Sequence, residues 1–171
     1  MLVVYIAIIT IANVITSMFQ PLILCNGYLV IPLGTFLVGI TFFIRDLIQL
    51  RVGRSKVYQL VAIATLLSGL VNLTLDNSLS VTLASVVSFF VSEAIDTEVF
   101  TRVKGSVTKR IVVSGVFGGT LDSMVFILLG LSPIGSNVLT WNVVPFAIIG
   151  QTFVKSFMQF AILPLFKVGE R

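Results

Sequence analysis

Seven charged residues fall inside the long apolar stretches of this chain: the acids Asp46, Glu93, Asp96, Glu98 and Asp122, and the cations Arg45 and Lys155. A charge at bilayer depth costs roughly 2.5–3.5 kcal/mol even on insertion scales, so such residues are expected to face one another or a wet interior and to carry the chemistry. Asp122 and Lys155 fall at the centres of the last two stretches, too far from either end to reach headgroups. Arg45, Asp46, Glu93 and Asp96 share a second depth, nearer one surface. Glu98 and Arg102, four residues apart, read as a local ion pair. What is missing excludes other chemistry. There is no histidine, the single Cys25 can form neither an internal disulfide nor a metal cluster, and no Gly-x-x-x-x-Gly-Lys or Gly-x-Ser-x-Gly motif occurs. The chain is expected not to be an enzyme, and no cofactor or metal is implied.

Uncharged polar residues keep helical register with these charges. Thr10, Asn13, Ser17 and Gln20 form one stripe; Thr65, Ser68, Asn72 and Asp76 a second; Ser85, Ser88, Ser92 and Asp96, joined by Glu93, a third. Ser114, Gly118 and Asp122 align in the next stretch, and Gln151, Lys155 and Gln159 in the last. Steps of three and four place residues on one side of a helix. Five polar faces are most economically turned inward, around a shared hydrated cavity. The plainer alternatives are that the Ser and Thr residues back-bond to their own helices and that Gly115-x-x-x-Gly119 is a helix-packing face. An Asp122–Lys155 bridge with a purely structural role is the plain alternative for the central charges.

The elements that hold these faces follow from composition. Of 171 residues, 57% are hydrophobic and only 11% charged, with a mean hydropathy of +1.11. Soluble domains carry about a quarter charged residues. The expected fold is an all-α integral membrane protein, one domain over residues 1–171, with helices near Leu2–Phe19, Leu29–Leu50, Tyr58–Leu75, Val81–Phe100, Ile111–Leu131 and Val144–Phe166. Loops are marked by Pro21, Asn26 and Gly27, by Asp76 and Asn77, and by Ser132, Pro133, Gly135 and Asn137. Nine of the 11 cations (Arg51, Arg54, Lys56, Arg102, Lys104, Lys109, Arg110, Lys167 and Arg171) fall on one side. The positive-inside rule then makes both termini cytoplasmic, with Tyr28 and Trp141 at the outer interface and Tyr5 and Tyr58 at the inner one. The basic excess belongs to topology, and no nucleic-acid partner is implied.

The cavity's groups describe its occupant. Carboxylates favour a ligand with paired N–H donors; Asn13, Asn72, Gln151 and Gln159 offer both donors and acceptors; Phe36, Phe42, Phe89 and Phe126 lie near the polar faces, where they can stack on a flat ring. A small, planar, nitrogen-rich solute fits. The acids outnumber the cations, so at least one of Glu93, Asp96 and Asp122 is expected to hold a proton, because burial disfavours the charged form. Proton-coupled uptake and facilitated diffusion drained by intracellular consumption both fit that expectation.

Four motifs occur in order: Asp46-Leu-Ile-Gln49-Leu-Arg-Val-Gly53, Ser92-Glu93-Ala-Ile-Asp96, Asp122-Ser-Met-Val-Phe126 and Gly150-Gln-Thr-Phe-Val-Lys155, with Ala12-Asn13 ahead of them. Together they resemble the queuosine precursor transporter family (the VUT family). Glu93 stands where that family more often has Gln, and Leu50 and Val52 replace a Glu and an aromatic residue. The resemblance implies a six-helix protein of the cytoplasmic (inner) membrane that imports 7-cyano-7-deazaguanine or 7-aminomethyl-7-deazaguanine for tRNA modification. A deazaguanine offers a flat bicycle and a donor pair that one carboxylate can accept. Motif matching points to Asp46, Asp96, Asp122 and Lys155. The full set of candidate substrate-binding residues is Asn13, Glu93, Asp96, Asp122, Gln151, Lys155 and Gln159, with Arg45 and Asp46 as an ion pair or gate. The partners expected are a nucleobase-like small molecule and membrane lipid; self-association into a homo-oligomer is left open.

Two other classes compete. One is the substrate-binding membrane subunit of an energy-coupling-factor vitamin importer. Such subunits often present an Ala-x-x-x-Ala face on the first helix, whereas here Ala7 is followed by Ile11 and Ala12 by Thr16. The other is a holin-like or scaffold protein without a solute, for which charges on several helices would be a costly choice.

Overall fold

The computed structural model describes residues 1–75 and 79–165. Asp76, Asn77, Phe166, Lys167 and Arg171, used above for loops, helix ends and topology, lie outside the described residues. Within them the chain forms six α-helices: α1 Leu2–Met18, α2 Gly34–Val52, α3 Arg54–Thr74, α4 Leu79–Arg102, α5 Val107–Phe126 and α6 Val144–Ile162. Between α1 and α2 lies a small hairpin, β1 Leu22–Leu24 paired antiparallel with β2 Leu29–Ile31, in register Leu22 to Ile31 and Leu24 to Leu29.

The hairpin corrects the expected start of the second helix at Leu29. Pro32 disfavours helical backbone at Ile31 and has no N–H to give, and β-branched Val30 and Ile31 suit extended chain. Helix geometry begins only beyond it, where the Thr35 N–H donates to the Pro32 carbonyl at 3.0 Å. The hairpin turn runs through Cys25, Asn26 and Gly27, all at positive φ. At the other end of α2, Gly53 at φ +82° passes the chain straight into α3, so α3 starts at Arg54, ahead of the expected Tyr58. Ser106 caps α5 by accepting from the Lys109 N–H at 3.3 Å. α5 then continues through one wider turn, Ile127–Leu131, before the loop that leads to α6.

The helices close into a ring in the order α1, α2, α6, α5, α4, α3 and back to α1, and α2 also touches α3, α4 and α5. Their surfaces are inverted relative to a water-soluble domain. Leu66, Ile149 and Phe153 are 70, 65 and 69% exposed, whereas Arg45, Asp46, Glu93 and Asp96 are fully buried. Thr65, Ser68 and Asn72 on α3, Ser88 and Ser92 on α4, Ser114 and Asp122 on α5, and Gln151, Lys155 and Gln159 on α6 are all buried too. Such a surface suits hydrocarbon, not water. Three helical stretches, Arg54–Thr74, Leu79–Arg102 and Val107–Leu131, are long and apolar enough to cross a membrane, and α1 is a shorter apolar helix. The chain is a membrane protein.

Glycine sets how closely the helices approach. A Cβ on Gly39 of α2 would lie 2.9 Å from the Lys155 Cα and 2.9 Å from the Met158 Cβ of α6. Gly115 and Gly119 of α5 face Gln159 and Lys155 of α6, so this pair is a packing face that also leaves room for two polar side chains. Gly34 sits directly on Ala12 and Thr16 of α1. Gly39→Ala should therefore push α2 from α6 and cost about 1–3 kcal/mol, read as an earlier thermal melt in detergent. An unchanged melt would mean that the two helices are not in this close contact.

Candidate substrate cavity and buried charge cluster

The polar interior divides into two sites stacked along the bundle. The half nearer the hairpin holds a cavity of about 90 Å³, walled by all six helices. Asn13 enters from α1, Thr35 from α2, Ser68 and Asn72 from α3, Ser85 and Ser88 from α4, Asp122 from α5, and Gln151 and Lys155 from α6. Phe89 and Phe126 supply aromatic wall. Of the other two phenylalanines considered for stacking, neither Phe36 nor Phe42 lines it; Phe42 is buried against Gly119.

Helical register explains how these side chains meet. Gln151 and Lys155 stand one turn apart on α6, and Asp122 and Phe126 one turn apart on α5. The Lys155 Nζ lies 2.7 Å from Asp122 Oδ2 and donates a second hydrogen bond to Ser123 Oγ at 2.8 Å. An ammonium has three N–H groups, so one is left for the cavity. Asn13 Nδ2 donates to Ser68 Oγ at 2.7 Å, tying α1 to α3, and Asn72 Nδ2 donates to Ser85 Oγ at 3.2 Å, tying α3 to α4. The Gln151 Nε2, in a residue only 1% exposed, has no hydrogen-bond partner among the described residues. A buried, unsatisfied amide on a cavity wall is costly unless water or a ligand completes it.

The second site lies one to two turns further from the hairpin. There the Arg45 guanidinium touches three carboxylates: Asp46 at 3.0 Å, Glu93 at 3.1 Å, and Asp96 in still closer contact. Arg45 Nη1 also donates to Gln49 Oε1 at 2.8 Å and to Thr97 Oγ1 at 3.3 Å, and Ser114 Oγ donates to Asp46 Oδ2 at 3.2 Å. Ser92 links the two sites, its Oγ 3.5 Å from Asp122 Oδ1. Glu98 stands apart, half-buried, where it takes Arg54 at 2.5 Å, Arg102 at 3.1 Å and the Tyr58 hydroxyl at 2.6 Å.

The structure thus separates residues that sequence had grouped. Asn13, Asp122, Gln151 and Lys155 come together around the cavity. Glu93 and Asp96 join Arg45 and Asp46 in the cluster instead, and Gln159 packs on Gly115 while donating to the Ile111 carbonyl at 2.8 Å. Tyr5, expected at a membrane interface, is fully buried beside Glu93. Its phenol belongs to the charged core, a role that hydropathy does not signal. Thr97 and Ser123 were also missed as contact residues. Thr97 follows Glu93 by four on α4, and Ser123 follows Gly115 and Gly119 at steps of four on α5, so helical register carries the hint for both.

The helices turn apolar surface outward and enclose a polar cavity, the arrangement of a membrane protein. Residues 32–169 match the profile of the family described as "Putative vitamin uptake transporter", and the chain belongs to that family. This agrees with the resemblance carried by its sequence motifs. No curated protein and no solved structure matches the chain.

The Asp122–Lys155 pair makes a direct stability prediction. Removing one partner strands the other in a buried site, at a cost of about 3–5 kcal/mol. Lys155→Ala should therefore lower the melting temperature sharply, and adding Asp122→Ala should recover much of the loss. A double variant as unstable as the sum of the two singles would show that the charges are not coupled.

Proposed function

We propose that this protein imports queuosine precursors, 7-cyano-7-deazaguanine or its 7-aminomethyl analogue, across the cytoplasmic membrane, as a single domain of six spans with both termini inside. Family membership supports uptake of a small solute. The observation that carries the cargo reading is the chemistry of the cavity wall: the unpartnered Gln151 amide and the remaining Lys155 N–H are donors, Asp122 and Asn13 carry acceptor oxygens, and Phe89 and Phe126 offer ring faces. A deazaguanine presents the complement. Its carbonyl edge can accept from Gln151 and Lys155, its N–H groups can donate to Asp122 and Asn13, and its bicycle can lie against phenylalanine.

The wall's two charges are paired, so the site favours a solute read by hydrogen bonds over one read by net charge. At about 90 Å³ the chamber is smaller than the roughly 300 Å³ at which small-molecule sites usually begin. Admission of the bicycle then requires the wall helices to part, as a carrier with alternating access must do in any case. Helix glycines in close contact, such as Gly39, mark where such sliding meets least side-chain obstruction.

The test is uptake in cells that can neither make nor import queuosine precursors. Expression of this chain alone, with either precursor supplied, should restore queuosine in tRNA, and Asp122→Asn or Gln151→Leu should lower the uptake rate at least tenfold. Reporter fusions at both termini should be active on the cytoplasmic side. Confirmed membrane insertion without restoration by either precursor would remove the cargo assignment, and dependence on an added ATPase module would favour the energy-coupling-factor class.

A further inference from the structure

The cluster around Arg45 holds an imbalance that the cavity does not. One guanidinium, permanently cationic, meets three carboxylates, and all four side chains are fully shielded from solvent. If each carboxylate were ionised, the cluster would carry two uncompensated negative charges in a low-dielectric interior. Isolated buried ions of that kind are neutralised in proteins by a counter-ion or by a proton.

Among the described residues no second cation contacts these carboxylates. From α1 comes Tyr5, a neutral phenol beside Glu93. α2 contributes Arg45 and Asp46, and α4 contributes Glu93 and Asp96. α5 adds the Ser114 hydroxyl and, beyond Ser92, Asp122. Lys155 on α6 is already engaged by Asp122 and Ser123. On the α3 side, Tyr58 and Arg54 are held by Glu98. Among the described residues no group of acids is arranged to hold a metal ion. Arg45 takes one oxygen of each carboxylate, and the other oxygens of Glu93 and Asp96, Oε1 and Oδ1, are buried away from any cation, with only the Tyr5 phenol beside Glu93 among the described residues. Glu93 and Asp96 stand one turn apart on the same face of α4, with Arg45 between them and the rest of α2.

We propose that this cluster is a proton-binding site, in which at least one proton resides on Glu93 or is shared between Glu93 and Asp96. A protonated carboxyl changes from acceptor to donor and halves the charge excess in one step. Asp46 is the least suited of the three, because it already accepts from Ser114 while touching Arg45. The further assignment of this proton to the transport cycle rests on the uptake reading above: Ser92 connects Asp122 in the cavity wall to the α4 face that carries the proton, so a solute that loosens Asp122 can alter the cluster. Release of the proton would restore the second uncompensated negative charge, and repulsion between Asp46 on α2 and the two carboxylates of α4 would then favour parting of the two helices.

The site itself is tested without transport. Infrared titration of the purified protein in lipid discs should show a protonated-carboxyl stretching band that persists at neutral pH. It should be at least halved in Glu93→Gln, whose amide mimics a neutral carboxyl, and should survive, shifted in frequency or midpoint, in Asp122→Asn. Should Glu93→Gln fail to fold, the wild-type band and its survival in Asp122→Asn decide the matter. A wild-type protein with no such band at neutral pH, a band lost in Asp122→Asn, or a titration that depends on sodium would overturn the proposal. Proton entry during precursor uptake, followed with a dye trapped in vesicles, tests the link to transport separately: a persistent band with no proton entry would keep the site and reject coupling.

Discussion

A charge enclosed by a helical bundle in a membrane must have its partner within the bundle. That constraint fixes how the six helices of this protein are arranged. Arg45 on α2 draws in two carboxylates from α4 and, through Asp46 and Ser114, binds α5 as well. Lys155 on α6 reaches back to Asp122 and Ser123 on α5. With hydrocarbon outside, apolar contact gives little preference for one helix neighbour over another, so close packing at glycines and these polar ties supply the specificity.

The two charge groups differ in a way that assigns them different work. Asp122 and Lys155 balance each other and stand on a cavity wall with an unsatisfied amide one turn away. The Arg45 group is closed, over-supplied with acid and linked to the first group through Ser92. Under the proposed uptake function, the cavity would be the binding chamber and the ionic cluster beyond it a closure whose strength depends on charge.

Much of this was legible in the sequence because a charge or amide in an apolar run has so few places to go. The inward stripes of α3, α4, α5 and α6 followed from steps of three and four, and Asp122 and Lys155 meet as their depths require. What sequence could not give was the partition between two sites. Glu93, Asp96 and Asp122 all read as buried acids, and only the rotation of α4 against α2 decides that Arg45 claims the first two. Tyr5 was misplaced for the same reason: an aromatic near a helix end reads as an interface anchor until a neighbour with a buried carboxylate covers it. The β1–β2 hairpin hid behind an apolar run that continues into α2, although Pro32 carried the signal for the break.

If the polar faces enclose a water-accessible chamber, the two sides of α1 must differ in their access to aqueous reagents. In a chain with Cys25→Ser, the only native thiol is gone, and single cysteines can report on one helix. Asn13→Cys, on the cavity wall, should react with a charged, membrane-impermeant thiol reagent and be protected by precursor, while Ile11→Cys, on the outer face of the same helix, should stay unreactive. Equal reactivity at the two positions, or none at Asn13, would contradict a chamber on the inner side of α1.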